Sequence, residues 1–457
     1  MSISLIIITE IFLFLNIYLQ FKLLKYKALL HPSMFFCIVW IISMPSYLIL
    51  SEIDPVMDAK YPELVDELNY YVLFTTICFI IFSIFNHSKV KKNNPKWDIS
   101  SFGIIFKSMV SISLFGSLLF WISTGSSLSI GNNRNTFVEG MIDSYEYGGQ
   151  FGFLFSLASV LNSLMLPCAI YVGYIVSKWV FKNEHFESKI FWLILPMVSF
   201  FLYSAAIGGR NPLFWGIRYH ILGFGFGSLN LINYKSNLRK IMLYTTLIVL
   251  LINSYSTFVA ADRAKVNEYD IISEDLWAKY PVLKPFSGVI EYMSFHYMGY
   301  QYRRVDYVDD ELTMGAKTFS GALKASVPLS STFGLNLNVG NLIGINKIYQ
   351  IQDIMYSDRE WKETTFTSYM LIYDDFGYFG TFVFIILLVW ISQIVYVNWF
   401  VKTHKGFMSI FPIFMIWCFW TNTNFDPYFA SSFMPIVYVF LLIDFILNNF
   451  IKNKVEN

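Results

Sequence analysis

The sequence predicts an all-α protein built from membrane-spanning helices. Hydrophobic residues make up 55% of the chain and charged residues 14%, whereas soluble domains carry about 25% charge. Apolar runs of about 20 residues, long enough to cross a bilayer, recur before and after one long interruption. That interruption extends from Asp262 to about Thr367 and contains no such run. The pattern indicates a polytopic membrane protein with one large loop outside the membrane.

The apolar runs predict about eleven spans, within a range of about 10 to 13. The runs 151–177 and 368–398 exceed one span, so they are expected to tilt or to extend beyond the bilayer. The first run lacks the basic region and cleavage site of a signal peptide and is interpreted as a retained span. The candidates are 3–21, 33–50, 70–86, 101–122, 151–177, 190–207, 212–234, 241–261, 368–398, 407–422 and 428–450.

Basic residues are distributed unevenly among the short loops, and short cytoplasmic loops accumulate lysine and arginine. Seventeen of them fall in alternate loops and at the C-terminal end, against three in the intervening short loops. The three are Lys60, Arg134 and Arg210. The pattern predicts that the N-terminus and the long loop lie outside and that the C-terminus lies in the cytoplasm.

The chain is therefore divided into three parts. Residues 1–261 hold about eight spans, residues 262–367 form the large outer loop with short amphipathic helices, and residues 368–457 hold about three spans. A loop of more than a hundred residues is too long for a simple connector. We expect it to take part in the chemistry.

Arginines close to the outer face are candidates for binding an anion. Arg210 lies in the predicted turn between spans six and seven, Arg218 about two helical turns into span seven, and Arg263 just beyond span eight. A charge at membrane depth is costly and is by default a functional hypothesis. The guanidinium fork fits phosphate or carboxylate oxygens. The alternatives are ion pairs with Glu10 or Asp262, or side chains that extend to lipid head groups.

Within the long loop, residues 289–305 have helical spacing. An apolar stripe is formed by Ile290, Met293, Tyr297 and Tyr300. His296 and Arg303 lie on another face, which would align an imidazole and a guanidinium. The alternative is an amphipathic helix that lies on the membrane surface. His296 and His220 are the two histidines that the predicted topology leaves available for acid–base chemistry outside.

Two short segments resemble a known family. The segment Tyr373-Asp374-Asp375-Phe376-Gly377-Tyr378-Phe379-Gly380 leads into a span after the long loop, and Gly208-Gly209-Arg210 precedes another span. Both resemble elements of the Wzy-type oligosaccharide repeat-unit polymerases, which make O-antigen and capsule polysaccharides. The plan of many spans with one large late outer loop is similar as well.

The resemblance implies a GT-C-like membrane glycosyltransferase on the outer face of the bacterial inner membrane. Glycan carried on undecaprenyl pyrophosphate would be transferred onto a new lipid-linked repeat unit, and undecaprenyl pyrophosphate would be released. No cofactor and no metal are expected. The implied partners are lipid-linked glycans, membrane lipids and a regulator of chain length, and no nucleic acid.

The resemblance and the residues together suggest roles. Arg210, Arg218, Arg263 and Arg303 are assigned to pyrophosphate binding, because fixed cations stabilise the charge on the leaving group. A base must deprotonate the acceptor hydroxyl. His296 is the first candidate, followed by His220, Asp374 and Asp375. Gly377 and Gly380 are expected to permit close backbone packing.

Three other functions stay open. An O-antigen ligase has a similar plan and the same donor but attaches finished polymer to lipid A-core. A flippase for lipid-linked repeat units is less favoured, since short loops throughout would be expected. A glycosyltransferase that uses polyprenyl-phosphate sugars would employ Glu52 and Asp54, although a solvated acidic loop is the simpler interpretation of these two residues.

Overall fold

A computed structural model of the protein describes residues 2–53, 61–92, 97–127, 129–133, 136, 153–182, 190–209, 211–229, 238–264, 280–306, 368–401, 404–421 and 427–451. These residues are almost entirely helical. The helices are α1 (Ile3–Leu24), α2 (Pro32–Ile53), α3 (Pro62–Lys92), α4 (Gly103–Ser123), α5 (Phe153–Ser163), α6 (Met165–Lys182), α7 (Ile190–Ala206), α8 (Asn211–Leu229), α9 (Leu238–Ala264), α10 (Ser287–Asp306), α11 (Ser368–Val401), α12 (Phe411–Thr421) and α13 (Pro427–Ile446). The short strands β1 (Trp97–Asp98) and β2 (His404–Lys405) pair in parallel.

Seven helices of the described residues are long and apolar enough to cross a membrane, and α7 is a shorter apolar helix. This confirms the predicted all-α, membrane-embedded class. The number of eleven spans and the GT-C-like arrangement stay predictions. The long run 151–177 is divided between α5 and α6, because Pro167 in the first turn of α6 has no N–H and its ring excludes the carbonyl four residues before it.

Contacts between connecting segments define one face of the helix bundle, here named the lysine-rich face. Lys27 follows α1 in the chain. Its Nζ donates to the carbonyl oxygen of Val90, near the end of α3, at 2.8 Å. Lys240 Nζ near the start of α9 donates to Trp179 O near the end of α6 at 2.9 Å. The strand pair β1–β2 joins the segment after α3 to the segment after α11. Loops predicted to be cytoplasmic thus lie together.

The other ends of the helices meet at the face opposite to the lysine-rich face, here named the opposite face. Ser126 Oγ after α4 donates to Ala206 O at the end of α7 at 2.9 Å. The backbone N–H of Gly131 donates to Asp262 Oδ2 near the end of α9 at 3.2 Å. This sorting agrees with the alternation of basic residues in the sequence. Which face is cytoplasmic stays a prediction.

The buried side chains form two large clusters. The first cluster joins α4, α6, α7, α8 and α9 to parts of α11, α12 and α13. The second cluster joins α1, α2 and α3 to α10, α11 and one residue of α12. Helix α11 contributes to both clusters, so the spans after the long loop pack against those before it. Of the helices that carry predicted site residues, α10 and α11 contribute to the second cluster, whereas α8 and α9 contribute to the first.

Close approach of α6 to α8 depends on glycine. A Cβ on Gly173 of α6 would collide with the carbonyl of His220, and a Cβ on Gly223 of α8 would collide with the carbonyl of Ile170. Small residues allow helix backbones to approach in a membrane, where lipid gives little hydrophobic drive to association. This contact fixes the position of α8, which carries Arg218 and His220.

A buried polar network clamps α11 to the first three helices near the lysine-rich face. Gln393 Nε2 donates to His31 Nε2 at 2.8 Å, and Ser83 Oγ lies 3.2 Å from the same nitrogen. Gln20 Nε2 donates to Ser83 Oγ and to Asn16 Oδ1, both at 2.8 Å. Hydrogen bonds between buried polar groups favour one arrangement of the helices. His31 lies in the connector between α1 and α2.

We expect His31 to make the stability of the protein depend on pH. Burial lowers the pKa of His31 from its ordinary value of 6.5 to about 3. The unfolded chain therefore binds a proton below about pH 6.5 that the folded chain does not bind until about pH 3, so stability is lost progressively as pH falls across this window. The His31→Gln variant should lose less thermal stability than the wild type between pH 7 and pH 5, measured in detergent.

The control for this experiment is His87→Gln, which removes a partly exposed histidine at the same end of the bundle. If wild type and His31→Gln show the same fall in melting temperature on acidification, burial of a neutral His31 does not govern the pH dependence.

Candidate functional site

Helix α10 is inserted between membrane helices. The predicted apolar stripe is confirmed: Ile290 is 7% exposed, Tyr297 1% and Tyr300 0%. Tyr297 OH donates to Asn69 Oδ1 of α3 at 2.7 Å, and Tyr300 OH donates to Glu67 Oε1. The helix therefore does not lie on the membrane surface. Its tyrosines bury their rings and find partners for their hydroxyls, as buried tyrosines usually do.

Trp40 of α2 joins α10 to α11. Its ring meets Tyr297 edge to face at a centroid distance of 5.7 Å and meets Tyr369 at 5.9 Å. Tyr369 OH lies 2.7 Å from Thr75 Oγ1 of α3. Aromatic pairs at such distances stabilise beyond the area that they bury. One side chain thus holds the helix that carries His296 close to the helix that carries Asp374 and Asp375.

Both aspartates of α11 that were predicted as candidates for the base are buried. Asp374 is 7% exposed and Asp375 is fully buried. They lie less than two turns after Tyr369, on the part of α11 that is nearest to the opposite face. A buried carboxylate in a membrane helix is costly and marks a functional position by default. The structure keeps both residues as candidates for the base.

Helix α11 is broken immediately after these two acids. Gly377 has φ 68° and ψ −175°, a conformation in which a residue with a Cβ would be strained. Thr381 Oγ1 donates to the carbonyl oxygen of Gly377 at 2.7 Å. A Cβ on Gly380 would lie 2.6 Å from the Cβ of Phe376. This neighbour of Gly380 is a side chain of the same helix, so close backbone packing at Gly380 stays a prediction, whereas Gly377 is required by the backbone conformation.

Glu10 of α1 is a partly buried acid, which the sequence analysis treated only as an ion-pair partner. Its Oε1 atom is buried, and no described residue makes a hydrogen bond to it. It lies close enough to Tyr297 for electrostatic interaction. The signal was present in the sequence, because Glu10 is the single acid of an otherwise apolar span. That Glu10 lies near Tyr297 of α10 could be seen only in the folded structure.

The Gly208-Gly209 element closes α7 with a left-handed turn. Gly208 has φ 63°. The N–H of Gly208 donates to Ala205 O at 3.1 Å and the N–H of Gly209 donates to Ser204 O at 3.0 Å, which is the Schellman arrangement. Tyr255 OH of α9 donates to Ser204 Oγ at 2.7 Å and lies 3.2 Å from Gly209 O. The turn is therefore held against α9, two helical turns before position 263.

Helix α8 holds Arg218 and His220 in the first cluster. Arg218 is partly buried. The His220 ring lies 5.6 Å from the Tyr244 ring, and no described residue makes a hydrogen bond to its buried Nδ1 atom. His220 thus belongs to the contact of α8 with α6 and α9, whereas the buried acids lie on helices of the second cluster. The roles assigned to Arg218 and His220 stay predictions.

Some predicted site residues lie outside the described part of the chain. Arg210 is one of them, as is Asp54. Positions 263, 296 and 303 lie on α9 and α10, but their side chains are outside the described residues. Among the residues that the structure describes, no group of three or more histidine, cysteine, aspartate or glutamate side chains could hold a metal ion.

The described residues form an acidic and aromatic region in the half of the bundle away from the lysine-rich face. Its acids are the buried Asp374 and Asp375 and the partly buried Glu10 and Glu67, and its buried aromatic residues are Trp40, Tyr47, Tyr297, Tyr300 and Tyr369. A carboxylate held among apolar rings can accept a proton from a hydroxyl. The arrangement suits acid–base chemistry on a hydroxylated molecule at the membrane surface.

Comparison of the chain with models of known protein families, with curated proteins and with solved structures gives no match.

Proposed function

We propose that the protein polymerises oligosaccharide repeat units carried on undecaprenyl pyrophosphate, on the outer face of the bacterial inner membrane. The predicted eleven-span plan and the GT-C-like class belong to this proposal. So does the orientation in which the lysine-rich face is cytoplasmic. The two motif segments in the sequence support the family, and the burial of Asp374 and Asp375 in one of them supports the chemistry.

The observation that carries the proposal is the pair of buried acids at the break of α11. Asp374 and Asp375 precede Gly377, and the inserted helix α10, which comes from the long loop, packs against the same Trp40 as α11 does. The long loop and the spans thus contribute to one region at one face. A membrane enzyme that acts on a lipid-borne glycan needs its base at this depth, where the sugar meets the head groups.

In the proposed reaction a base removes the proton from a hydroxyl of the acceptor repeat unit. The acceptor oxygen attacks the anomeric carbon of the donor glycan, and the bond from that carbon to the pyrophosphate oxygen breaks with its electron pair on the leaving group. Asp375, Asp374 or His296 would act as the base. Arg210, Arg218, Arg263 and Arg303 would stabilise the developing charge on pyrophosphate.

The decisive experiment is deletion of the gene followed by analysis of the surface glycan. Loss of a polymerase leaves glycan of a single repeat unit on the surface, whereas loss of a ligase leaves none. Restoration of long chains by the wild-type gene is the control. A glycan-free surface after deletion would replace this proposal with the ligase.

One observation favours a flippase as the second candidate. Discontinuous helices with buried charges near the break occur in transporters, and α11 has this character at Gly377. Loss of a flippase would leave lipid-linked repeat units on the cytoplasmic side of the membrane, out of reach of an enzyme added to spheroplasts. Loss of a polymerase would leave them accessible outside.

A further inference from the structure

A line of polar side chains follows α1 and α3 through the membrane. The two helices run parallel and side by side, because contacts at three levels keep an offset of 63 or 64 residues in the chain. The polar line, as we name it, consists of Glu10, Asn16 and Gln20 on α1 and of Asn69 and Ser83 on α3. All but the partly buried Glu10 are at most 3% exposed. Polar groups inside a span are costly, and they either hold helices together or mark a pathway for ions or protons.

The half of the polar line next to the lysine-rich face is joined by hydrogen bonds. They lead from Asn16 through Gln20 and Ser83 to Nε2 of His31. The second ring nitrogen of His31, Nδ1, lies 2.7 Å from Ser33 Oγ. A neutral imidazole can accept a proton at one nitrogen and release the proton of the other. His31 therefore connects the polar line to the start of α2, at the lysine-rich face.

The other half of the polar line leads to Glu10 by way of a thiol and two phenols. Asn16 Nδ2 donates to Cys37 Sγ at 3.2 Å. The Cys37 thiol lies close enough to Tyr369 for electrostatic interaction. Tyr297 lies close enough to both Tyr369 and Glu10 for the same kind of interaction. Glu10 and the hydrogen-bonded half thus belong to one set of neighbouring polar groups.

Three buried atoms of the polar line point to bound water. They are Glu10 Oε1, Gln20 Oε1 and Asn69 Nδ2, and no described residue makes a hydrogen bond to any of them. Buried polar atoms are normally paired, and an unpaired one points to a bound water or ion. Two acceptors and one donor suit water, which serves both kinds. Hydrogen bonds that only hold helices together need neither an acid nor unpaired atoms, whereas a proton pathway needs a titratable group and water.

We propose that the polar line is a proton relay, which exchanges the proton of the Glu10 carboxyl with the lysine-rich face by way of bound water and His31. A proton that leaves the carboxyl is taken up by a neighbouring water. Each water or hydroxyl then passes on one of its own protons, and the carboxylate stays behind until a proton returns. The amides of Asn16 and Gln20 orient the waters and do not themselves carry the proton.

The relay is slow, unlike an open channel. Burial keeps the pKa of His31 at about 3, so about one molecule in 10⁴ carries the extra proton at pH 7. A slow relay can change the charge of Glu10 without dissipating the proton gradient of the membrane. Proton transfer of this kind is an activity separate from glycosyl transfer and does not depend on it.

The test is proton uptake by liposomes of phosphatidylethanolamine and phosphatidylglycerol that contain the full chain and the pH-sensitive dye pyranine. A potassium gradient with valinomycin sets the membrane potential, and the fluorescence of the dye reports proton entry. We expect wild-type liposomes to take up protons at least fivefold faster than protein-free liposomes. Glu10→Gln and Gln20→Leu should each return the rate to within about twofold of the protein-free rate, because the first removes the acid and the second removes an amide that holds water.

The matched control is Asn162→Leu, which removes a buried amide from a separate network. Asn162 of α5 is 2% exposed, and its Oδ1 atom accepts a hydrogen bond from Ser117 Oγ at 2.5 Å. This variant should keep the wild-type rate of proton uptake. Thermal melting in detergent shows which variants are folded. Ser83→Ala deletes only a hydroxyl from the polar line, and it should lower the rate several-fold even if Gln20→Leu does not fold.

Three outcomes would overturn the relay. One is wild-type uptake no faster than that of protein-free liposomes. Another is a wild-type rate in folded Glu10→Gln and Ser83→Ala proteins, because the polar line would then only hold helices together. The third is a loss of uptake in Asn162→Leu as complete as in Glu10→Gln, since disturbed packing would then explain both. The assay contains no glycan, so its result is independent of the deletion of the gene.

Discussion

Replacing the buried acids of α11 is expected to abolish polymer formation. Asp375→Asn or Asp374→Asn preserves the shape of the side chain but removes the base, and loss of a general base typically costs about 10²–10⁴-fold in rate. The residue whose replacement has the larger effect is assigned as the base. The measurement is the rate at which purified protein in nanodiscs extends lipid-linked repeat units, read as a ladder on a gel.

Two controls make this result specific. Asp98→Asn changes an exposed aspartate at the lysine-rich face, whose carboxylate accepts a backbone N–H from Ser100 at 2.9 Å. It should leave the rate within about twofold, as surface substitutions usually do. His296→Ala tests the rival base. Folded Asp374→Asn and Asp375→Asn proteins with near-normal rates, together with an inactive His296→Ala protein, would move the base to α10.

Truncation of Trp40 is expected to cause the largest loss of stability. The side chain is 2% exposed and contacts Tyr297 and Tyr369. Replacement of a buried tryptophan by alanine typically costs about 3–5 kcal/mol, because it removes contacts and leaves a cavity. Trp40→Ala should therefore unfold at lower temperature in detergent and also lose activity, since α10 and α11 lose their common contact.

The matched control is Trp390→Ala on α11, which removes a tryptophan that is 48% exposed on the outside of the bundle. Its cost should be below about 1 kcal/mol, as for surface sites in general. Trp40→Phe should recover part of the stability by restoring an edge-to-face contact. Equal destabilisation by Trp40→Ala and Trp390→Ala would contradict the central position of Trp40.

Helix α10 shows which features the pattern of residues could predict and which it left open. The spacing of Ile290, Tyr297 and Tyr300 predicted a helix and its apolar face, and both are confirmed. The same spacing was equally compatible with a helix on the membrane surface. Insertion follows from partners distant in the chain, such as Asn69 for Tyr297, and no local pattern contains them.

For the candidate site, the sequence identified the chemistry of single residues better than their grouping. Asp374 and Asp375 were candidates from their motif, and the structure adds their burial and the break at Gly377. Glu10 was not selected as a site residue, although a charge in an apolar run pointed to it. His220 and the buried acids were predicted as alternatives for one role. The structure places His220 on α8, in the first cluster, and the acids in the part of α11 that belongs to the second cluster.

The sequence by itself determined that this is a helical membrane protein, where its long apolar helices lie, and that its loops alternate between two faces. These properties depend on apolar runs and on local charge, which the chain displays directly. Only the tertiary structure decided which apolar residues face one another. Leu13 is fully buried and its neighbour Phe14 is 57% exposed, yet both are apolar, because lipid and protein interior favour the same side chains. In a membrane, therefore, hydrophobicity specifies the span, and packing and hydrogen bonds specify its partners.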